Sequence, residues 1–273
     1  MVVWTSAWLH GAAAADDVLD ALQSWAESHE VTAHEASTAD VLGLPAPTEH
    51  GGSPALLLAA ARRIGITGGE LILPVAGDLR GLRGHASFAA AALHAGEAAV
   101  LTTSPEAAAS AAAENGSAED LGLVPERVAD GVIRWTVFRL PTMAVAEHTP
   151  LGEAEHELSG AMRAAATALV ELDVARHRPG VRAEISAVVE GQPRTPWPPG
   201  MPSRALRVLQ RANEVAAILQ VATSDDPGGA VSASAIRRRA EALRPLDHAV
   251  RTARKAAVAE AVRTLSGSPR VDR

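Results

Sequence analysis

The 273-residue chain has no cysteine, no tyrosine, only 2 phenylalanines and a single lysine, Lys255. Without thiols it cannot build disulfides, zinc–thiolate sites, iron–sulfur clusters or a cysteine nucleophile. With so few large rings, its core must rest on Leu, Val, Ile and close-packed helices, because alanine buries little area by itself. No apolar run approaches the roughly 18 to 20 residues that span a bilayer as a helix, so no membrane partner is expected. The opening stretch MVVWTSAWLHGAAAADD has no basic residues ahead of its apolar run and does not read as a signal peptide. A cytoplasmic protein is the resulting expectation.

Charge is present but segregated. The net charge is −7, yet no Lys or Arg precedes Arg62. That region instead carries Asp16, Asp17, Asp20, Glu27, Glu30, Glu35, Asp40 and Glu49. From Arg237 onward the balance reverses through Arg237, Arg238, Arg239, Arg244, Arg251, Arg254 and Lys255. Oppositely charged segments attract within a chain or between copies, although two solvated faces that never meet explain the pattern equally well.

Hydrophobic patterning separates two textures. Over 1–145 the pattern alternates strand and helix. Val2–Leu9 (VVWTSAWL), Glu30–Glu35, Glu70–Val75, Ala98–Thr103 and Val132–Leu140 read as strands. Helices are expected over Asp16–Ser28, from Ser53-Pro54 to about Arg63, after the glycine loop that follows Val75, and over Pro105–Asn115. Ser37–Gly52 reads as a loop. The expected class is therefore α/β, with about five strands in a mostly parallel sheet flanked by helices. An all-helical region is expected over 146–266. It contains a long helix carrying Leu158, Met162, Ala165 and Leu169, a proline-rich connector at 190–202, and a helix from Ser203 to about Ala222. A DDPGG turn follows, then a helix capped by Ser232 or Ser234 and a fourth with Pro245 at its first position. Residues 267–273 read as a disordered tail.

The chemistry-bearing candidates concentrate in PVAGDLRGLRGHASF, between an apolar strand and an alanine helix. A loop in that position lies where open α/β sheets bind ligands, and a helix N-terminus offers free N–H groups to anions. Gly77, Gly81 and Gly84 would let a ligand approach the backbone; Arg80 and Arg83 would clamp it; His85 closes the loop. The glycine spacing matches neither the dinucleotide nor the P-loop fingerprint, and Asp78 competes for the arginines. The bland alternative is a turn whose charges are solvated. His10, after the first expected strand, could approach His85 as a weak acid/base pair.

Other motifs fall short. In HEVTAHE the second histidine comes one residue late for a zinc-binding helix, and on a strand His29 and His34 face opposite sides. Glu153-x-x-His156 has the di-iron spacing but no second pair. No G-x-S-x-G elbow exists, and the Pro after Ser53 lacks the N–H an oxyanion hole would use. Asn115-Gly-Ser117 is formally a glycosylation sequon. The arginine-rich C-terminal helices lack the positive surplus and aromatic interleaving of a nucleic-acid surface. No metal, no cofactor and no nucleic-acid partner is therefore expected, and no complete nucleophile or acid/base set assigns an activity. Two readings follow: a small-ligand protein holding an anion at 77–85, or a non-catalytic assembly protein whose C-terminal helices form a homo-oligomer.

The alanine and arginine bias, with PVAGDLRGLRGHASF, HAGEAAVL and DDPGGAVSASAIRRRAEALRPLDHAVR, resembles an uncharacterised actinobacterial protein family. The resemblance covers most of the chain and implies no activity, so no site residue is transferred from it.

Overall fold

The computed structural model describes residues 1–78, 80–104, 106, 109, 113, 119–143, 149–171, 181–191, 196–224 and 233–267. The expected helix over 105–115, the sequon, the DDPGG turn, Ser232 and the tail lie wholly or mostly outside them. The chain forms two compact units: Met1–Glu147 with Arg194–Pro202 and Ala261–Arg273, and His148–Pro193 with Ser203–Glu260.

The first unit is built on five strands, β1 (Ser28–Ala33), β2 (Ile66–Ile72), β3 (Ala98–Thr103), β4 (Glu119–Ala129) and β5 (Val132–Pro141), in the order β1-β5-β4-β3-β2. Only β1 and β5 pair in parallel; the other three pairings are antiparallel. The expectation of a mostly parallel sheet is therefore corrected, and the reason lies in two connections. Asp130-Gly131 joins β4 to β5 as a tight hairpin with Gly131 at φ 70°, a short-range signal the strand–helix alternation obscured. Between β2 and β3, the connection travels along the sheet twice. The loop after β2 runs up one face, and helix α5 (Ala86–Ala95) runs back down, so β3 starts beside the end of β2, with Ile72 opposite Ala98. A βαβ crossover would instead return to the far end of the sheet.

Several elements differ from the sequence reading. Val2–Leu9 is helix α1, not a strand. Its residues from Val2 to Trp8 are all buried, so it shows no polar face, and a helix apolar all round has the same one-dimensional signature as a buried strand. The expected strand count survives because β4 takes its place. That strand carries Gly122 and Pro125, which normally argue against a strand. A Cβ on Gly122 would lie 2.7 Å from the Phe88 ring. Pro125 pairs with β5 alone, beyond the stretch of β4 that β3 covers, so its missing N–H leaves no rung empty. Helix α3 (Ala36–Leu42) also occupies part of the expected 37–52 loop.

Helices α2 (Ala15–Leu22) and α4 (Pro54–Arg63) complete the unit. Ser53 caps α4 and Pro54 opens it, as its sequence specifies. On one sheet face, Ile72, Val100, Val124, Phe138 and Leu140 pack under Phe88 and Ala92 of α5. On the other, α1 lies on β2 and β3 and joins α2 and α4 through Trp4, Trp8, Val18, Ala21 and Leu58. The Trp4 indole donates to Pro196 O at 3.0 Å.

The second unit is helical: α6 (Leu151–Glu171), α7 (Val181–Glu190), α8 (Ser203–Ser224) and the stretch through Glu260 of α9 (Ala233–Gly267). Ala205, Val208, Ala212, Val215 and Leu219 form the buried stripe of α8, and α8 packs against α6 and α7. Arg204 pairs with Glu155 at 2.9 Å, and Arg254 Nε donates to Asn213 Oδ1 at 2.7 Å. The two expected C-terminal helices are one, because α9 continues through Pro245. Proline removes one hydrogen bond there, while Leu243, Leu246, Val250 and Ala253 keep a continuous buried face on both sides of it. No turn separates two helices at that point.

Candidate functional site

Because β2 runs antiparallel to β3, the loop after it leaves from the end of the sheet opposite the one where β1, β3 and β5 finish. Only the last part of the loop reaches that second end. The six expected site residues are therefore divided along the sheet face rather than gathered into one cup.

Near the start of the loop, Asp78 N donates back to Val75 O at 2.9 Å, forming a tight turn with Gly77 at φ 87°. Asp78 then holds Arg80 through Nε and Nη2, both at 2.8 Å, and accepts from the Arg80 amide at 3.3 Å. The Arg80 side chain is 71% exposed. Gly81, at φ 85°, sits so close to Ile72 that a Cβ would approach its Cδ1 to 2.7 Å. Gly81 thus serves packing against the sheet.

Arg83 points the other way. It is the one non-glycine residue with positive φ, 53°, among the described residues. That conformation is uncommon and costs energy that its surroundings must offset. The offset is visible: the side chain is 4% exposed and donates from Nη1 to Asp120 Oδ2 at 3.2 Å and to Met143 O at 3.1 Å. From Nη2 it donates to Glu70 Oε1 at 3.1 Å. Asp120 is buried too, and its Oδ1 accepts from Thr103 N at 3.0 Å and Thr142 Oγ1 at 3.4 Å. One guanidinium thus faces two carboxylates and ties the loop to β2 and β4, and through Asp120 to Thr103 of β3. Beside it, Glu119 pairs with Arg139 and its carbonyl accepts from Thr103 Oγ1. Asp120 and Glu70 were not singled out in the sequence. Glu70 lay inside an apolar strand, and Asp120 in a segment whose Gly and Pro hid its pairing.

The loop ends at His85, the N-cap of α5. Its Nδ1 accepts from Phe88 N at 3.2 Å, which leaves Nε2 as the ring N–H. His85 meets the Phe138 ring edge-on with centroids 6.1 Å apart. His34, the exposed residue just past β1, stacks on the same ring at 4.2 Å. Two histidines from distant parts of the chain therefore flank one buried phenylalanine, at the end of the sheet where β1 and β5 finish. Gly84, at φ 67°, has open space where a Cβ would stand. His10, by contrast, is engaged with Thr67 O at 2.7 Å. His29 lies on the strand, with Nδ1 accepting from Trp135 Nε1 at 3.1 Å and Nε2 donating to Leu22 O at 2.7 Å. Among the described residues no group of three or more His, Asp or Glu is placed to hold a metal ion, and no helix is long and apolar enough to cross a membrane.

Comparison with known proteins gives a consistent picture. A protein of Mycobacterium tuberculosis, named Uncharacterized protein Rv1486c, is 40% identical over 94% of this chain and 93% of its own length. A Mycobacterium leprae protein is 35% identical and a Mycobacterium avium protein 33% identical, each over 94% of both chains. None of these names carries an activity. No solved structure matches the chain. Residues 1–150 match the family model described as Rv1486c-like protein, N-terminal domain, and residues 152–255 match its C-terminal domain. The chain belongs to the Rv1486c-like protein family.

Proposed function

We propose that this is a small-ligand-binding protein, whose N-terminal unit takes a compact anion, a phosphate ester or carboxylate, at the start of α5. The observation that carries the reading is the convergence of His34 and His85 on Phe138. Two imidazoles beside a helix N-terminus supply N–H donors where the helix dipole already favours negative charge. Phe88 N is taken by the His85 cap, but the Ala86 and Ser87 amides have no intrahelical acceptor, and Gly84 leaves its backbone open to a ligand. In this reading Arg83 and Gly81 hold the loop in place, Gly77 shapes its first turn, and Arg80 stands at the periphery.

The test is a thermal shift with inorganic phosphate and sugar phosphates on three proteins: unaltered, His34→Ala and His85→Asn. Asparagine keeps the N-cap while removing the imidazole. A ligand at one hundred times its Kd stabilises the chain by about 2.7 kcal/mol through mass action. The unaltered protein should show that rise and both variants should lose most of it. An equal rise in all three would refute the reading.

The second reading, a homo-oligomer built on the C-terminal helices, has its own support in Val170 and Ile218. These are the large apolar side chains left exposed on α6 and α8. Sedimentation showing a monomer at high concentration would dismiss it.

A further inference from the structure

The face of the first unit opposite α5 carries a second feature, independent of the histidine site. A trough of about 400 Å³ opens along α4, a size within the range of small-molecule sites. Ala55, Leu58 and Ala59 line it, with Trp8 of α1 and Ala15 of α2 on its far side. At its C-terminal end stand Arg62 and Arg63. The five α4 residues fall at i, i+3, i+4, i+7 and i+8, so they form one stripe, about 12 Å long at 1.5 Å per residue.

The two arginines differ in availability. Arg63 Nη2 donates to Val41 O at 3.2 Å. Arg62 lays its guanidinium over the Trp8 ring at 4.0 Å, and among the described residues no carboxylate pairs with it. Stacking on an aromatic face fixes the plane of the group while leaving its edge N–H donors for a ligand. Small side chains at Ala55 and Ala59 leave room above the helix. An apolar trough that ends in an oriented, unpaired cation matches a molecule with an apolar body and one acidic end.

We infer that this trough binds a free carboxylic acid with an apolar body of roughly the same length, its chain along Ala55 and Ala59 and its carboxylate on Arg62. The carboxylate accepts from the guanidinium edge as a charge-assisted pair, and the body displaces water from the exposed Ala55 and Ala59.

The experiment is calorimetric titration of the full chain with decanoate below its micelle concentration, alongside decanol and acetate. Saturable decanoate binding is expected, with decanol and acetate each at least about ten-fold weaker, since each lacks one half of the recognition. Arg62→Gln should weaken decanoate about ten-fold or more while leaving decanol unchanged. Ala59→Glu, which places an acidic side chain in the trough at an exposed position, should abolish binding without altering the fold seen by circular dichroism. Equal affinity for decanol and decanoate, or an unchanged Arg62→Gln, overturns the assignment. So does sedimentation showing a dimer that Ala59→Glu dissociates, because the trough would then be covered by a second copy of this chain.

Discussion

The two halves of the 77–85 loop carry one arginine each, three residues apart, and the fold treats them oppositely. Arg80 lies in the solvent and pairs with Asp78, its neighbour in sequence. Arg83 is buried and pairs across the sheet with Glu70 and Asp120. Residue type and local spacing do not distinguish them. The distinction comes from which side of the chain faces the sheet after the turn at Gly81, so the same guanidinium serves as surface decoration in one place and as the tie between loop and sheet in the other. Coulomb attraction between charges is screened to a small value in water and grows as water is removed. The comparison therefore predicts very unequal consequences for equal chemical changes.

The largest is Arg83→Ala. It leaves Asp120 and Glu70 facing each other without their cation, and breaking a buried pair by removing one partner costs about 3–5 kcal/mol. Urea unfolding should show a stability loss of that size, read as the midpoint shift multiplied by the m-value. Arg83→Met with Asp120→Asn should recover part of the loss, because an apolar side chain and a neutral amide no longer leave a lone charge buried. If Arg83→Ala unfolds no more easily than the unaltered protein, the buried pairing is not what fastens the loop.

This contrast also marks what the sequence could and could not convey. The helical unit was legible where helices have one buried face: of the stripe Leu206, Leu209, Ala216 and Leu219 that spacing gives for α8, Leu209 and Leu219 are buried and the other two half-buried. So was α4, whose start is written locally in Ser53-Pro54. The first unit hid its key elements for a common reason. Helix α1 is buried on all sides and so has no period to detect. Strand β4 tolerates Gly122 and Pro125 because of what lies across the sheet from them, and pairing partners are not visible along one chain. The site suffered similarly. Loop chemistry singles out His85 and Gly84 as candidates, but the contact of His34 with the Phe138 ring that His85 also meets depends on the β1–β5 pairing. Asp120 required the same long-range information.

His29 provides an intermediate case, half-buried between the two arginines' extremes. Burial holds its pKa below the ordinary value of 6.5, only partly opposed by its hydrogen bond to Leu22 O. Protonation would add a proton to Nδ1, the atom that now accepts from Trp135. Since the folded pKa is lowered, the unfolded chain binds more protons in the window just below 6.5. Stability is thus fully present above that pH and declines as pH falls through it towards the folded value. Comparing urea midpoints at pH 7.5 and 5.5, His29→Gln should lose less stability on acidification than the unaltered chain, by an amount smaller than the Arg83→Ala loss. Identical pH slopes for the two would show that another group governs the window.

The smallest effect belongs to Arg80→Ala. An exposed ion pair contributes about 0–1 kcal/mol, since water screens it and the side chain loses rotamer freedom to form it. The turn itself does not depend on the guanidinium: Asp78 accepts from the Arg80 amide, and that bond survives truncation. Asp78→Ala, which removes both the pair and the acceptor for the turn, should therefore destabilise more than Arg80→Ala does. If Arg80→Ala instead matched Arg83→Ala in the urea midpoint, burial would not be what separates the two arginines, and the loop would have to be held as a single cooperative unit from Asp78 to His85.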